Sequence, residues 1–230
     1  MKFTPPLIAL CVVFLVACIT APSFAEEYPP PTFSIPDTDT TPVEFSVGGI
    51  KYRVPRNYLT TMNNWHGGPQ NLVTLAVNLP DFKPFSEDTV TCFTEKDILR
   101  KEGCDPFTFE IVAPGDVSAS KAFARIRDSF HMRTPIKWMH GYEKYVTGTG
   151  DARHEYFKKT VDGRMLLFEC QSFDSEGGRD GLCEPLGNRA DAGPVLHYVF
   201  EMRGHLSNID QIDASLRNLV NSFMIGPTDD

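Results

Sequence analysis

Residues 154–173, HEYFKKTVDGRMLLFECQSF, constrain the fold more than any other part of the chain. Asp162 and Gly163 can adopt the positive φ angles that a two-residue type I′ turn requires, and the residues on both sides favour strands. The segment therefore predicts a β-hairpin. In that register Phe157 lies opposite Phe168, so one face of the hairpin is apolar.

Strand patterns recur elsewhere along the chain. Apolar and polar residues alternate in short runs, and several of these runs end at Gly or Pro. The first run forms a predicted hairpin that turns at Gly48-Gly49. The predicted strand segments outside residues 154–173 are 43–55, 72–80, 107–115, 142–146 and 197–203.

Two segments have a helical period instead. In 116–130 apolar residues recur at intervals of three and four, along one side of a helix, with Asp116 or Ser118 as the N-cap. Segment 208–224 has a second apolar stripe with helical spacing. At its start, Asn208 and Gln211 are spaced as a capping box. We therefore predict an α+β domain in which the helices 116–130 and 208–224 cover a mostly antiparallel sheet.

The N-terminal sequence has the three-part pattern of a secretory signal peptide. Lys2 provides positive charge, an uncharged apolar run follows, and Ser23-Phe24-Ala25 places small residues at a cleavage site. We predict a signal peptide at 1–25, a proline-rich extended leader at 26–42 and a single α+β domain at 43–225.

The same region supports a second interpretation. Leu15-Val16-Ala17-Cys18 fits a bacterial lipobox, in which Cys18 becomes a lipid-carrying N-terminus. Cleavage after Ala25 would remove Cys18 instead. We favour cleavage and keep Cys18 as a candidate lipidation residue. Under both interpretations the protein is exported, to the periplasm or beyond the bacterial envelope.

Export also predicts the state of the cysteines. Thiols outside the cytoplasm are oxidised, so the four cysteines that follow the signal peptide predict two disulfides. Four cysteines allow three pairings. We favour Cys92 with Cys104 and Cys170 with Cys183, because cysteines that flank one short loop usually pair. The crossed pairings remain alternatives.

The charge of the chain narrows the classes of partner. The net charge is −8, and loss of the signal peptide removes only one lysine. We found no cluster of Lys and Arg of the kind that binds phosphates, so we expect no nucleic acid partner, and a membrane only through a lipid anchor at Cys18. An acidic protein of this kind suits a basic protein partner.

No motif in the sequence assigns a reaction, so we predict no catalytic residue, cofactor or metal ion. The pair His154-Glu155 begins like a zinc-protease motif, but Lys158 stands where the second His ligand is required. His131, His140 and His154 lie near one another in sequence without the paired spacing of a metal site.

Two alternatives to a non-catalytic protein stay open. The first is a hydrolase whose site is assembled from dispersed residues such as Asp151, His154 and Glu155. The second is a carrier of a small apolar ligand bound between the sheet and a helix.

The two tryptophans occur in similar sequences, NWHGG at 64–68 and KWMHGY at 137–142. Exposed Trp, Tyr and His are good anchors in protein interfaces, whereas tryptophan in an α+β domain often fills the core. Both interpretations stay open. The candidate interface residues are Trp65, His66, Trp138, His140 and Tyr142.

The opening hairpin FSVGGIKYRVPRNYL, whose second strand runs into a proline, and the closing helix QIDASLRNLVNSF resemble those of the PsbP/DcrB-like domains. These are small exported or lipid-anchored proteins with a central antiparallel sheet between helices. The resemblance covers residues 43–223 in the order of elements. It implies an α+β fold and an accessory or partner-binding role, and it transfers no functional residue.

Small exported proteins of this make-up often serve as immunity proteins, which neutralise a secreted toxin by binding it. The acidic charge and the lack of a catalytic motif agree with such a role. We therefore predict an exported, non-catalytic protein-binding protein, most concretely an immunity-type protein or an envelope accessory factor.

Overall fold

The computed structural model describes residues 37–60, 65–94, 102–132, 134–149, 153–175, 178–187 and 194–228, and of residues 173–175 and 178–180 only the backbone. The described residues belong to one compact unit. The predicted signal peptide at 1–25, with Cys18, and residues 26–36 of the predicted leader lie outside the described residues.

The described chain contains thirteen strands, four α-helices and one short 3₁₀-helix, Arg56–Tyr58. The strands are β1 (Pro42–Val47), β2 (Ile50–Pro55), β3 (Gly68–Gln70), β4 (Leu72–Asn78), β5 (Pro106–Val112), β6 (Lys137–Met139), β7 (Tyr142–Thr147), β8 (His154–Val161), β9 (Arg164–Ser175), β10 (Gly178–Pro185), β11 (Val195–Tyr198), β12 (Phe200–Glu201) and β13 (Met224–Pro227). The helices are α1 (Val90–Thr94), α2 (Ala119–Ser129), α3 (Met202–His205) and α4 (Ile209–Phe223).

The strands form three sheets with the orders β13-β2-β1-β3, β11-β5-β4 and β12-β10-β9-β8-β7-β6. Within the described strands every pairing is antiparallel except that of β1 with β3. The predicted α+β class, with a mostly antiparallel arrangement and two main helices, is confirmed. The strands are divided among three sheets, which the sequence pattern did not show.

The β8–β9 hairpin has the predicted turn and register. Asp162 and Gly163 have φ angles of 49° and 77°, and Phe157 is paired with Phe168. The β1–β2 hairpin likewise turns at two glycines with positive φ, Gly48 and Gly49. Both turns are fixed by residues that tolerate this backbone conformation.

The six-stranded sheet is covered on both faces. Phe157 and Phe168 belong to the main core, which also contains the buried residues of α4. The neighbouring residues Tyr156 and Leu167 point to the other face, where they pack with Phe123 of α2 in a second cluster. Since side chains alternate along a strand, one sheet separates the two apolar clusters.

The two main helices start differently. The side chain of Ser118 accepts a hydrogen bond from the backbone N–H of Lys121 at 3.3 Å, which identifies it as the N-cap of α2. The side chain of Asn208 makes no capping hydrogen bond at the start of α4, so the predicted capping box is wrong. The Asn208 carbonyl instead accepts from the N–H of Ile212 at 3.0 Å.

The strand predicted at residues 197–203 is also wrong, because the chain changes sheets within it. β11 pairs with β5, β12 pairs with β10, and α3 begins directly after β12. Tyr198, Phe200 and Met202 are all buried, whereas Val199 is exposed. Buried and exposed side chains therefore go on alternating where the chain passes from one sheet to the other. Because the pattern is unbroken, it predicted a single strand where the structure has two short strands and a helix.

Both predicted disulfides are confirmed, Cys92 with Cys104 and Cys170 with Cys183. Cys170 and Cys183 are paired residues on β9 and β10, and both side chains are buried. This disulfide thus links two strands of the six-stranded sheet within the main core.

Candidate functional site

Strand β6 is the last strand of the six-stranded sheet. It pairs with β7 on one side, and no described strand pairs with its other side. A strand edge of this kind presents backbone N–H and C=O groups with which another extended segment can pair.

Three large apolar side chains at or just before this strand face solvent. Phe130 is 55% exposed, Ile136 69% and Trp138 62%. Seven large apolar side chains are exposed in the described part of the chain, and these three come from nine consecutive residues. We call Phe130, Ile136 and Trp138 the edge patch. Apolar side chains concentrated in this way are typical of interaction sites.

Packing on both sides of Phe130 fixes its position. Ile126, one turn earlier, and Met132, two residues later, pack against the second cluster. The Phe130 N–H donates to the Ile126 carbonyl at 3.0 Å, and the Met132 N–H donates to the Arg127 carbonyl at 2.9 Å. The backbone is therefore held while the Phe130 ring stays in solvent.

Trp138 lies on the face of the sheet that carries α2. It is paired with Glu143 on β7, and the Glu143 carboxylate is 2.5 Å from the Lys158 ammonium. That ammonium lies 4.7 Å from the centroid of the Phe123 ring of α2. The strand that supports the exposed indole is thus tied to the helix beside it.

Glu143 is held in its charged form. Burial tends to raise the pKa of Glu143, but hydrogen bonds from Lys158 and Tyr145 outweigh burial and lower the pKa. The Tyr145 hydroxyl donates to Glu143 at 2.7 Å. Burial, and then this carboxylate, raise the pKa of Tyr145 to about 12. The Glu143 carboxylate next to Trp138 is therefore ionised at neutral pH.

Strands β6 and β7 are joined by the two-residue turn His140-Gly141, with φ angles of 50° and 81°. This is the backbone conformation of a type I′ hairpin, and it favours Gly at the second position. β6 was not predicted from the sequence, and neither was the exposure of Ile136. The signals were this His-Gly pair and the alternation of Ile136-Lys137-Trp138, a run too short to indicate a strand.

Tyr142 is not part of the exposed surface, so its inclusion among the candidate interface residues is wrong. It is fully buried in the main core, and the centroids of the Tyr142 and Phe168 rings are 6.0 Å apart. The Lys159 ammonium lies 5.0 Å from its ring centroid. Burial, and then the nearby carboxylates Asp210 and Asp213, raise the pKa of Tyr142.

The charge around the edge patch differs from that of the whole chain. Residues 121–144 carry six Lys and Arg against two acidic residues, in a chain of net charge −8. Both acids are already paired, Asp128 with Arg127 and Glu143 with Lys158. The exposed basic side chains of this segment that form no ion pair with a described residue are Lys121, Arg125 and Lys137.

The two tryptophans have different environments despite their similar sequences. Trp65 is half-buried against the main core, and the Arg56 guanidinium lies 5.3 Å from its ring centroid. Trp138 is exposed. His66 and His140 are also exposed. Packing therefore explains Trp65, whereas partner binding by Trp138 stays a prediction.

Two of the three residues of the hydrolase alternative, His154 and Glu155, are described, and they do not share one site. His154 and Glu155 are neighbours on β8 and point to opposite faces of the sheet. Glu155 is fully buried, with its carboxylate 2.6 Å from Lys144 Nζ and 2.9 Å from a guanidinium nitrogen of Arg153. His154 Nδ1 is 2.7 Å from Glu169 Oε1. Asp151 lies outside the described residues.

The histidines considered for metal binding are His131, His140 and His154. In the part of the chain that the structure describes, no group of three or more His, Cys, Asp and Glu side chains is arranged to hold a metal ion. His131 and His140 are exposed residues with positive φ at the end of α2 and in the β6–β7 turn.

A second charged group, missed by the sequence analysis, is buried where α4 meets the sheets. Asp213 is 1% exposed, and it pairs with Arg164 and with Arg217. Burial tends to raise the pKa of Asp213, but the two arginines outweigh burial and lower it. The signal was an acidic residue inside the apolar stripe of α4, four residues before an arginine.

A cavity lined by described residues has a size relevant to the ligand-carrier alternative. It has a volume of about 400 Å³ near the start of α4. Leu79, Phe82 and Ile212 line it together with the polar residues Asp105 and Gln211. This mixed lining does not select an apolar ligand.

No protein-family model, no curated protein and no solved structure matches the chain. The resemblance to PsbP/DcrB-like domains therefore stays a prediction. Among the described residues, no helix has the length and apolar character that a membrane crossing requires.

Proposed function

We propose that the chain is a non-catalytic protein-binding protein that contacts its partner through the edge patch. The observation that carries the proposal is that Phe130, Ile136 and Trp138, which fall within nine consecutive residues, are all more than half exposed, and that Ile136 and Trp138 lie at a strand edge with no described neighbour. Trp is the side chain most enriched at the energetic centre of protein interfaces.

The compartment is part of the proposal. Two disulfides are typical of proteins that work outside the cytoplasm. Together with the signal pattern at 1–25, they support a periplasmic or secreted protein. In its most concrete form the protein is immunity-type and its partner is a secreted toxin; an envelope accessory factor is the second form.

The test uses the mature chain and a partner isolated with it from envelope extract. The purified partner is then titrated against the wild type and Trp138→Ala by calorimetry. Loss of an interface anchor of this kind costs about 2 kcal/mol or more, so we expect the Kd to rise roughly thirtyfold.

The matched control is Ile225→Ala, which truncates an exposed apolar side chain on β13, in a different sheet. It is expected to bind like the wild type. Equal binding by Trp138→Ala and the wild type would remove the edge patch as the binding surface. Protection of cells that express the partner separates the immunity-type role from the accessory role.

A further inference from the structure

We infer that the partner presents an extended acidic segment, which pairs with β6 as an additional strand of the six-stranded sheet. This inference rests on the proposed function. It adds the conformation and the charge of the segment that the edge patch binds.

The shape of the site favours an extended segment. Strand addition combines backbone hydrogen bonds along a free edge with side-chain contacts at every second residue. β6 supplies the edge, and Ile136 and Trp138, two residues apart, place apolar side chains on one face. The N–H of Ile136 is bonded to the Lys144 carbonyl at 2.8 Å, so pairing with β7 already holds this end of the strand.

The charge of the site favours an acidic segment. Exposed charges interact strongly only within about 10 Å at 0.1 M salt, so nearby groups outweigh the net charge of −8. Lys137, which lies on β6 itself, is exposed and has no described acidic partner, and the two other such residues of 121–144, Lys121 and Arg125 on α2, are also basic. The basic partner predicted from the net charge is replaced in this proposal by an acidic one.

The edge also discriminates against other strands. Pro135 directly precedes Ile136, and Lys137 lies within β6. Proline and lysine at a strand edge discourage unselective pairing. A strand with acidic side chains is attracted by the positive charge of Lys137. A basic strand is repelled by it, and an uncharged strand gains nothing from it. A lipid surface fits less well, because an open strand edge in hydrocarbon leaves backbone groups unpaired.

The test begins with a random peptide library displayed on phage and selected on the immobilised mature chain. Binders that also bind Trp138→Ala are removed by counter-selection. We expect enriched peptides with several Asp or Glu residues alternating with apolar ones. One enriched peptide is then synthesised with its Lys-for-Glu counterpart, and both are titrated at low and at high salt.

We expect the acidic peptide to bind at least tenfold more tightly than its basic counterpart and to weaken as salt rises. Lys137→Glu should weaken it about fivefold, because it replaces an attraction by a repulsion. Lys83→Glu, the control, makes the same charge change at an exposed residue that is bridged to β4, a strand of a different sheet, and should leave it unchanged. Amide hydrogen exchange at residues 136–139 should slow in the complex.

The inference is overturned by enrichment of basic peptides, by no enrichment, or by unchanged exchange at residues 136–139. It is also overturned if the patch instead binds vesicles of phosphatidylcholine with phosphatidylglycerol, or if Trp138→Ala only abolishes self-association in sedimentation. The proposed function has a separate outcome. If the natural partner loses affinity for Trp138→Ala while no acidic peptide is selected, the edge patch remains the binding surface.

Discussion

The hydroxyl of Tyr198 on β11 donates a hydrogen bond to Oδ1 of Asp213 on α4 at 2.9 Å, and both side chains are almost fully buried. The other carboxylate oxygen of Asp213 accepts from Arg217 Nε at 3.0 Å and from Arg164. One buried carboxylate therefore connects α4 to two different sheets, through Tyr198 of β11 and Arg164 of β9, while its third donor, Arg217, belongs to α4 itself.

Asp213→Asn is expected to destabilise the fold by about 3 kcal/mol. Removing one member of a buried ionic group leaves the remaining charges uncompensated, which costs more than the group contributes when it is intact. Urea unfolding followed by circular dichroism measures the change. The control Asp128→Asn breaks an exposed pair with Arg127 and should cost less than about 1 kcal/mol. Equal effects of the two variants would contradict the structural role of Asp213.

The same carboxylate predicts a loss of stability in acid. The pKa of Asp213 in the folded protein lies below its ordinary value of 3.8. A carboxyl group with a lowered pKa stabilises the fold fully above the unfolded pKa, and this contribution is lost as the pH falls through the folded pKa. Unfolding free energies should therefore fall below about pH 4. The unfolding free energy of Asp213→Asn should fall less steeply with pH in this range. If it falls as steeply as that of the wild type, other carboxyl groups cause the loss of stability in acid.

The local parts of the fold were predictable, because single turns determine them. Asp162-Gly163 fixes the β8–β9 hairpin and its register without reference to the rest of the chain. The split of residues 197–203 was not predictable. The alternation of apolar and polar residues indicates which side chains are buried, but not which sheet a strand belongs to. Val199, where the chain passes from one sheet to the other, is exposed like an ordinary outward-facing strand residue. Which sheet a strand joins depends on distant segments.

The candidate site was predicted only in part, for a similar reason. The sequence pointed to Trp65 and Trp138 equally, since both stand next to a histidine and a glycine. Arg56 and the main core cover Trp65 in the fold, and nothing in its neighbouring residues indicates this. Phe130 was assigned to the apolar side of α2, but it is the residue after the last turn and faces solvent.

The Cys170–Cys183 disulfide is expected to contribute about 3 kcal/mol to stability. It closes a loop with a sequence separation of 13 residues, and a cross-link over a loop of this length restricts the unfolded chain by about that amount. The double variant Cys170→Ala, Cys183→Ala, compared with the wild type by urea unfolding, tests it. Unchanged stability of the double variant would contradict this prediction. It would mean that β9 and β10 stay close together in the unfolded chain even without the disulfide.

Tyr142→Phe is expected to keep or raise stability, by up to about 1 kcal/mol. The Tyr142 hydroxyl oxygen is buried and has no hydrogen-bond partner among the described residues, so its removal relieves a desolvation cost. Tyr142→Ala should instead cost about 3 to 5 kcal/mol, because it empties a site in the main core. Trp138→Ala, four residues earlier but 62% exposed, should change stability by less than about 0.5 kcal/mol. Thermal unfolding of the three variants therefore separates core from surface in one hairpin, and a large loss in Trp138→Ala would contradict the exposure of the edge patch.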